Sequence, residues 1–111
     1  MNEAEFNTVV DDTLNKIERE LDRLDVDLDY ETSDGLLNLE FENGTKIILS
    51  RQTPLSQLWL ATPTGAYHFD YDVSQQVWLD EKDKVTLFRV LSQHCTEHSG
   101  GEINLVERQS S

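Results

Sequence analysis

The chain has 111 residues, with 22 Asp and Glu against 9 Lys and Arg, a formal net charge of −13 and 37% hydrophobic residues. That length suits one domain, residues 1–111, with a core of its own, and the apolar content is too high for a disordered chain. The charge excludes nucleic acid and anionic membrane surfaces as partners, since both need Lys and Arg to neutralise them, and leaves cations and basic protein surfaces.

Phe6, Val10, Leu14, Ile17, Leu21 and Leu24 recur at three- and four-residue steps, which predicts an amphipathic helix over about residues 4–24. At about 100° per residue, Asp11, Glu18, Asp22 and Asp25 form an acidic stripe beside the apolar one, with Lys16, Arg19 and Arg23 further round. After Leu24 the period changes to alternation. Val26, Leu28 and Tyr30 point one way and Asp25, Asp27, Asp29 and Glu31 the other, a strand with an acidic outer row that suits a sheet edge.

"TSDG" turns the chain into a second strand with Leu37, Leu39 and Phe41 inward, and Asn43-Gly44 predicts a type I′ hairpin into a third, Lys46 to Ser50. "RQTP" makes a corner, Gln57 to Ala61 is a fourth strand, "TPTG" turns again, Ala66 to Tyr71 is a fifth, and Val77 to Leu79 a short sixth. Asp83 is the expected N-cap of a second helix whose inner face is Leu87, Phe88, Leu91 and Cys95 and which ends at Gly100-Gly101, with Ile103 and Leu105 laid against the domain beyond it. This order predicts an α+β fold, a two-layer α-β sandwich with both terminal helices on one face of a five- to six-stranded antiparallel sheet.

The opening "MNEAEF" lacks a basic and then apolar leader, no apolar run is long enough to span a bilayer, and the lone Cys95 has no internal disulfide partner. A cytoplasmic protein is the expectation.

The acids carry the strongest chemical signal. "DVDLDYETSDGL" imitates the start of an EF-hand, but Tyr30 replaces the turn glycine and Leu36 the bidentate Glu, so a caged calcium loop is excluded. An open carboxylate array remains: Glu18, Asp22 and Asp25 on the helix, with Asp27, Asp29 and Glu31 on the strand. Such an array would bind hard cations weakly, and a plain solvated face is the alternative. On the strands, Leu58, Leu60, Tyr67, Phe69 and Tyr71 should face the helices, which leaves Gln57, Trp59, Ala61, His68 and Asp70 on the uncovered face, where Trp59 is a candidate partner anchor. His94 and His98 have the i, i+4 spacing of helical metal ligands, with Cys95 nearby, but without a third ligand the pair reads as structural. No nucleophile elbow, paired cysteines or phosphate loop points to an enzyme.

The acidic helix and strand, "LEFENGTKIILSRQTPLSQLWLATPTGAYHFDY", the Trp78 strand and the closing helix together resemble the frataxin family, in its bacterial branch, over essentially the whole chain. The stretch "RQTPLSQLWLAT" is the most specific part. The resemblance implies the same sandwich fold and an iron-binding protein of iron-sulfur cluster assembly, acting as iron donor or as regulator of the cysteine desulfurase. The family's acidic ridge falls on Glu18, Asp22, Asp25, Asp27, Asp29 and Glu31, and its surface for the assembly machinery on Arg51, Gln52, Gln57, Trp59 and His68. Implied partners are the desulfurase and the iron-sulfur scaffold protein. The implied ligand is weakly bound ferrous or ferric iron or another divalent cation, and the chain is expected to be mainly a monomer, with an oligomer under iron load as the alternative. Arg19, Arg23 and Ser50 depart from the family pattern, which bears on the number of metal sites. A protein-interaction module with incidental metal binding is the second reading, and ferroxidase activity the weakest, because the exposed array lacks His.

Overall fold

The computed structural model describes residues 1–25 and 28–107; Val26 and Asp27 fall outside the described residues. Helix α1 (Glu3–Asp22) begins at a capping box in which Asn2 Oδ1 accepts from the Glu5 amide (2.8 Å) while the Asn2 amide donates to Glu5 Oε1 (3.3 Å). Six strands follow, β1 (Leu28–Ser33), β2 (Leu36–Phe41), β3 (Lys46–Gln52), β4 (Gln57–Thr62), β5 (Gly65–Asp72) and β6 (Val77–Asp80), and then helix α2 (Leu87–Ser99). Each strand pairs antiparallel with the next, in spatial order β1 to β6, so β1 is an edge as its acidic row predicts. Among the described residues, no helix is long and apolar enough to cross a membrane.

One face of the sheet is apolar because inward positions alternate along β2 to β6: Leu37, Leu39, Phe41, Ile47, Leu49, Leu58, Leu60, Phe69 and Trp78 are buried. Phe6, Val10, Leu14, Ile17 and Leu21 of α1, with Leu87, Phe88, Leu91 and Cys95 of α2, close over them. The one polar group of the Trp78 side chain is satisfied inside this core, its Nε1–H donating to Thr13 Oγ1 (2.9 Å). Tyr67 and Tyr71 lie at the rim, partly buried. Ile103 and Leu105 are buried as expected. The tail is held like an extra strand by helix side chains: Thr96 Oγ1 and Ser92 Oγ accept from the amides of Ile103 and Leu105, and Glu20 Oε1 from that of Val106 (2.9, 2.8 and 3.0 Å).

Two local expectations are corrected. The mirror-image hairpin turn sits at Asp34-Gly35, where both residues have positive φ (49° and 77°), whereas at Asn43-Gly44 only Gly44 does (87°). With Phe41 and Thr45 bonded across three loop residues, the latter is a type I turn closed by a left-handed glycine. The N-cap of α2 is Thr86, whose Oγ1 accepts from the Arg89 amide (3.3 Å). Asp83 cannot serve, because its amide is bound to Asp80 Oδ2 in the turn after β6 and Lys84 takes φ 57° between it and the helix.

Candidate functional site

The acidic ridge is built where the end of α1 meets the edge strand. Tyr30 points inward, paired in register with Leu39, and its hydroxyl donates to Asp22 Oδ1 at 2.6 Å, tying the helix to β1. That bond to a carboxylate, with partial burial and the charges of Asp22 and Glu18, pushes the Tyr30 phenol up to about 12. Glu18 is partly exposed, and Asp22 and Asp25 are exposed.

The strand acids take the other side. Asp29 pairs with Glu40 and Glu31 with Asn38, so both project from the uncovered face, while Glu18 and Asp22 stand in the helix layer. The ridge therefore straddles the sheet edge. Asp27 lies outside the described residues, and among those described the ridge brings no three carboxylates within 4.8 Å of one another. Of the departing arginines, Arg23 pairs with Glu20 (3.6 Å) and Arg19 is exposed.

On the uncovered face Trp59 is held from two sides. Its indole stacks on the His68 ring (centroids 4.3 Å, interplanar angle 16°) and its Nε1–H donates to Gln57 Oε1 (2.8 Å). Gln57 Nε2 donates in turn to Asp70 Oδ1 (3.0 Å) and Glu81 Oε1 (3.2 Å), and His68 Nδ1 faces Glu81 Oε2 (3.4 Å). Gln52 adjoins this row, its Nε2 donating to Ser50 Oγ (3.2 Å). Glu81, a clamp of both Gln57 and His68, escaped the sequence reading because it follows β6, where alternation no longer assigns a face.

Arg51 does not share that face. It points into the helix layer, where its guanidinium donates to Asn7 Oδ1 (2.8 Å) and pairs with Asp11 of α1. Alternation dictates this, since Ile47 and Leu49 are inward and Arg51 is next in that series. It also explains Gly35, where an added Cβ would fall 2.5 Å from Arg51 Nε.

The end of α2 carries a cluster that sequence spacing half revealed. His94 is buried, His98 partly buried and Glu97 exposed, and one ligand atom from each lies within 4.8 Å of the others. His94 Nε2 is hydrogen-bonded to the Tyr67 hydroxyl (2.8 Å), and its Nδ1 faces Glu97 Oε2 at 3.7 Å. Burial lowers the His94 pKa, against the opposing pull of Glu97. Glu97 was the missed residue. The signal for it is H-x-x-E-H, residues 94–98, which places the acid beside both rings on one helical face. Cys95 is buried in the core, where burial pushes its thiol up to about 12, and it is not part of this cluster.

Residues 1–101 match the family model described as a frataxin-like domain. The chain is similar to the iron-sulfur cluster assembly protein CyaY of Pseudomonas fluorescens, 42% identical over 104 residues and covering 94% of each chain. It is also similar to that of Vibrio cholerae, 40% identical over 106 residues, covering 96% of this chain and 100% of that one. These names describe an assembly protein rather than an enzyme. Among solved structures, frataxin from Psychromonas ingrahamii superposes with a TM-score of 0.89 at 36% identity, covering 96% of this chain and 100% of that one. Trimeric frataxin from Saccharomyces cerevisiae, complexed with ferrous iron, gives 0.70 at 26% identity, covering 83% and 86%.

Proposed function

The chain belongs to the frataxin family, and on that premise we propose that it binds iron and serves iron-sulfur cluster assembly in the cytoplasm, as iron donor or as regulator of the cysteine desulfurase. The ridge of Glu18, Asp22, Asp25, Asp27, Asp29 and Glu31 is its charged contact. The sheet face of Gln52, Gln57, Trp59 and His68 meets the iron-sulfur scaffold protein, and Arg51 supports that face from beneath by holding β3 to α1.

The observation that carries this reading is the Tyr30–Asp22 bond at the edge. It fixes a folded boundary from which exposed carboxylates project to both sides, on a chain with 13 excess negative charges. Like charges so gathered repel, and a ligand of opposite sign relieves that repulsion. The spread of the ridge over two faces favours docking on a basic protein patch over a metal cage, so iron on it would keep much of its water and bind weakly.

The test is a two-dimensional NMR titration of labelled protein with desulfurase and with ferrous iron. Desulfurase should perturb amides of residues 18–31, and iron added in excess should compete at the same positions. Desulfurase perturbing only α2 or the Trp59 face would overturn the assignment.

A further inference from the structure

We propose that His94, Glu97 and His98 form a binding site for a divalent first-row transition ion, of the class of Fe2+, Co2+ or Zn2+, separate from the acidic ridge. Three observations converge on it. One ligand atom from each residue falls within 4.8 Å of the others, a spacing that a single ion can span.

Second, the two rings each present a buried nitrogen, His94 Nδ1 and His98 Nε2, that has no hydrogen-bond partner. Buried polar atoms are nearly always paired, because leaving one bare costs the desolvation of that group. A metal ion would satisfy both nitrogens at once. Third, the other nitrogen of His94 is already engaged by the Tyr67 hydroxyl (2.8 Å). With Nδ1 on the ion, Nε2–H donates to the Tyr67 oxygen, the outer contact that fixes the tautomer of a ligating histidine.

The rings are also set in place before any ion arrives. Tyr67 packs edge-on against His94 (centroids 5.3 Å) and Phe41 lies against His98 (6.0 Å). The cluster occupies the last turns of α2, where the negative end of the helix dipole favours a cation. Two imidazoles and one carboxylate select borderline ions over Mg2+ or Ca2+ and leave coordination positions open on the exposed Glu97 side.

The site stands independently of the ridge, so its test does too. Untagged, uniformly ¹⁵N-labelled protein is titrated with Co2+ and followed by visible absorption and by amide and imidazole NMR, with Mg2+ as competitor. The first equivalent of Co2+ should shift the resonances of His94 and His98 and spare His68, the remaining histidine of the chain's three, and excess Mg2+ should not displace it. Glu97→Gln and His98→Ala should each weaken Co2+ binding by roughly tenfold or more, at least the loss that removing an outer partner of a metal site causes. Asp22→Asn should leave it unchanged. Glu97 is exposed, so Glu97→Gln keeps the test valid if His98→Ala unfolds. Unchanged Co2+ affinity in Glu97→Gln, displacement by Mg2+, or first shifts confined to residues 18–31 or His68 would overturn the proposal. Desulfurase docking is read separately, so loss of one result leaves the other standing.

Discussion

The ridge and the end of α2 are both rich in metal-ligating side chains, yet they are organised in opposite ways. The ridge has many carboxylates, mostly exposed and divided between the end of α1 and the uncovered face of the edge strand β1. The helix end has three ligands of mixed type, converging within 4.8 Å and resting on Tyr67 and Phe41. The difference teaches that charge count and coordination are separate properties. Exposed charge at a distance acts through the field it casts, which suits steering and docking. A first-row ion is held by a few donors whose positions were settled when the core packed.

The largest expected effect breaks this division from the ridge side. Reversing Asp25 and Asp29 together to Lys should weaken desulfurase binding by roughly a hundredfold at low salt, through loss of steering and contact charge. The loss should shrink as ionic strength rises, because the Debye length falls to about 8 Å near physiological salt. Co2+ binding should not move. A titration of both ligands on the same variant checks this, and equal loss of both would mean that the ridge and the helix end form one site.

Next in size is Trp59→Ala, which should cost about 2 kcal/mol in scaffold binding, the scale of an anchoring aromatic, with the fold intact by circular dichroism. Trp59 shares the uncovered face with Asp29 and Glu31, about 14 Å from β1 across three strand spacings of ~4.8 Å. A partner bound at Trp59 is thus adjacent to the strand half of the ridge and remote from its helix half. Desulfurase affinity that falls with Trp59→Ala as steeply as scaffold affinity would make the two surfaces one interface.

The fold was legible because periodicity and burial coincide: every inward residue of β2 to β5 could be read from alternation, and the α1 stripe from its three- and four-residue steps. Arg51 joined the assembly surface through the family resemblance alone, whereas its parity with Ile47 and Leu49 puts its side chain inward, against α1. Ser92, Thr96 and Glu20, which bind the tail, carry no pattern, because their partners are backbone groups distant in sequence. The metal cluster was half legible. Helical spacing joined His94 to His98, whereas the bare ring nitrogens and the Tyr67 contact exist only once β5 and α2 pack together.

A smaller effect sharpens the helix half of the ridge. Asp22→Ala removes the acceptor of the Tyr30 hydroxyl and should cost about 1 kcal/mol of stability. It should also let the Tyr30 phenol fall from about 12 toward its ordinary value of 10.0, read by phenolate absorbance. The folded pKa is the higher one, so the Tyr30 contribution is complete below pH 10 and is lost as pH rises from about 10 through about 12. Alkaline unfolding should therefore show a component in that window that Asp22→Ala lacks. A Tyr30 titration unchanged by the substitution would remove Asp22 as the tie between α1 and β1.

The smallest effect separates the strand half, where the sign reverses. Asp29 stands directly across from Glu40, and like charges in register destabilise a pair of strands. Glu40 is itself balanced in part by Lys46, 4.0 Å away, and both chains are solvent-exposed, so the penalty is modest. Asp29→Lys replaces repulsion with attraction and should stabilise the protein by about 0.5 kcal/mol at low ionic strength, or about 2 °C in melting temperature for a chain of this size. Glu31→Lys, across from the neutral Asn38, should gain less. Salt should stabilise the unmodified protein more than Asp29→Lys, because screening removes the repulsion that the substitution already abolishes. The two ridge halves thus predict opposite outcomes, with Asp22→Ala melting lower and Asp29→Lys higher, measured by thermal unfolding at two salt concentrations without metal. Should Asp29→Lys also melt lower, its carboxylate makes a structural contact of its own, and the strand row would not be charge held in reserve for a partner.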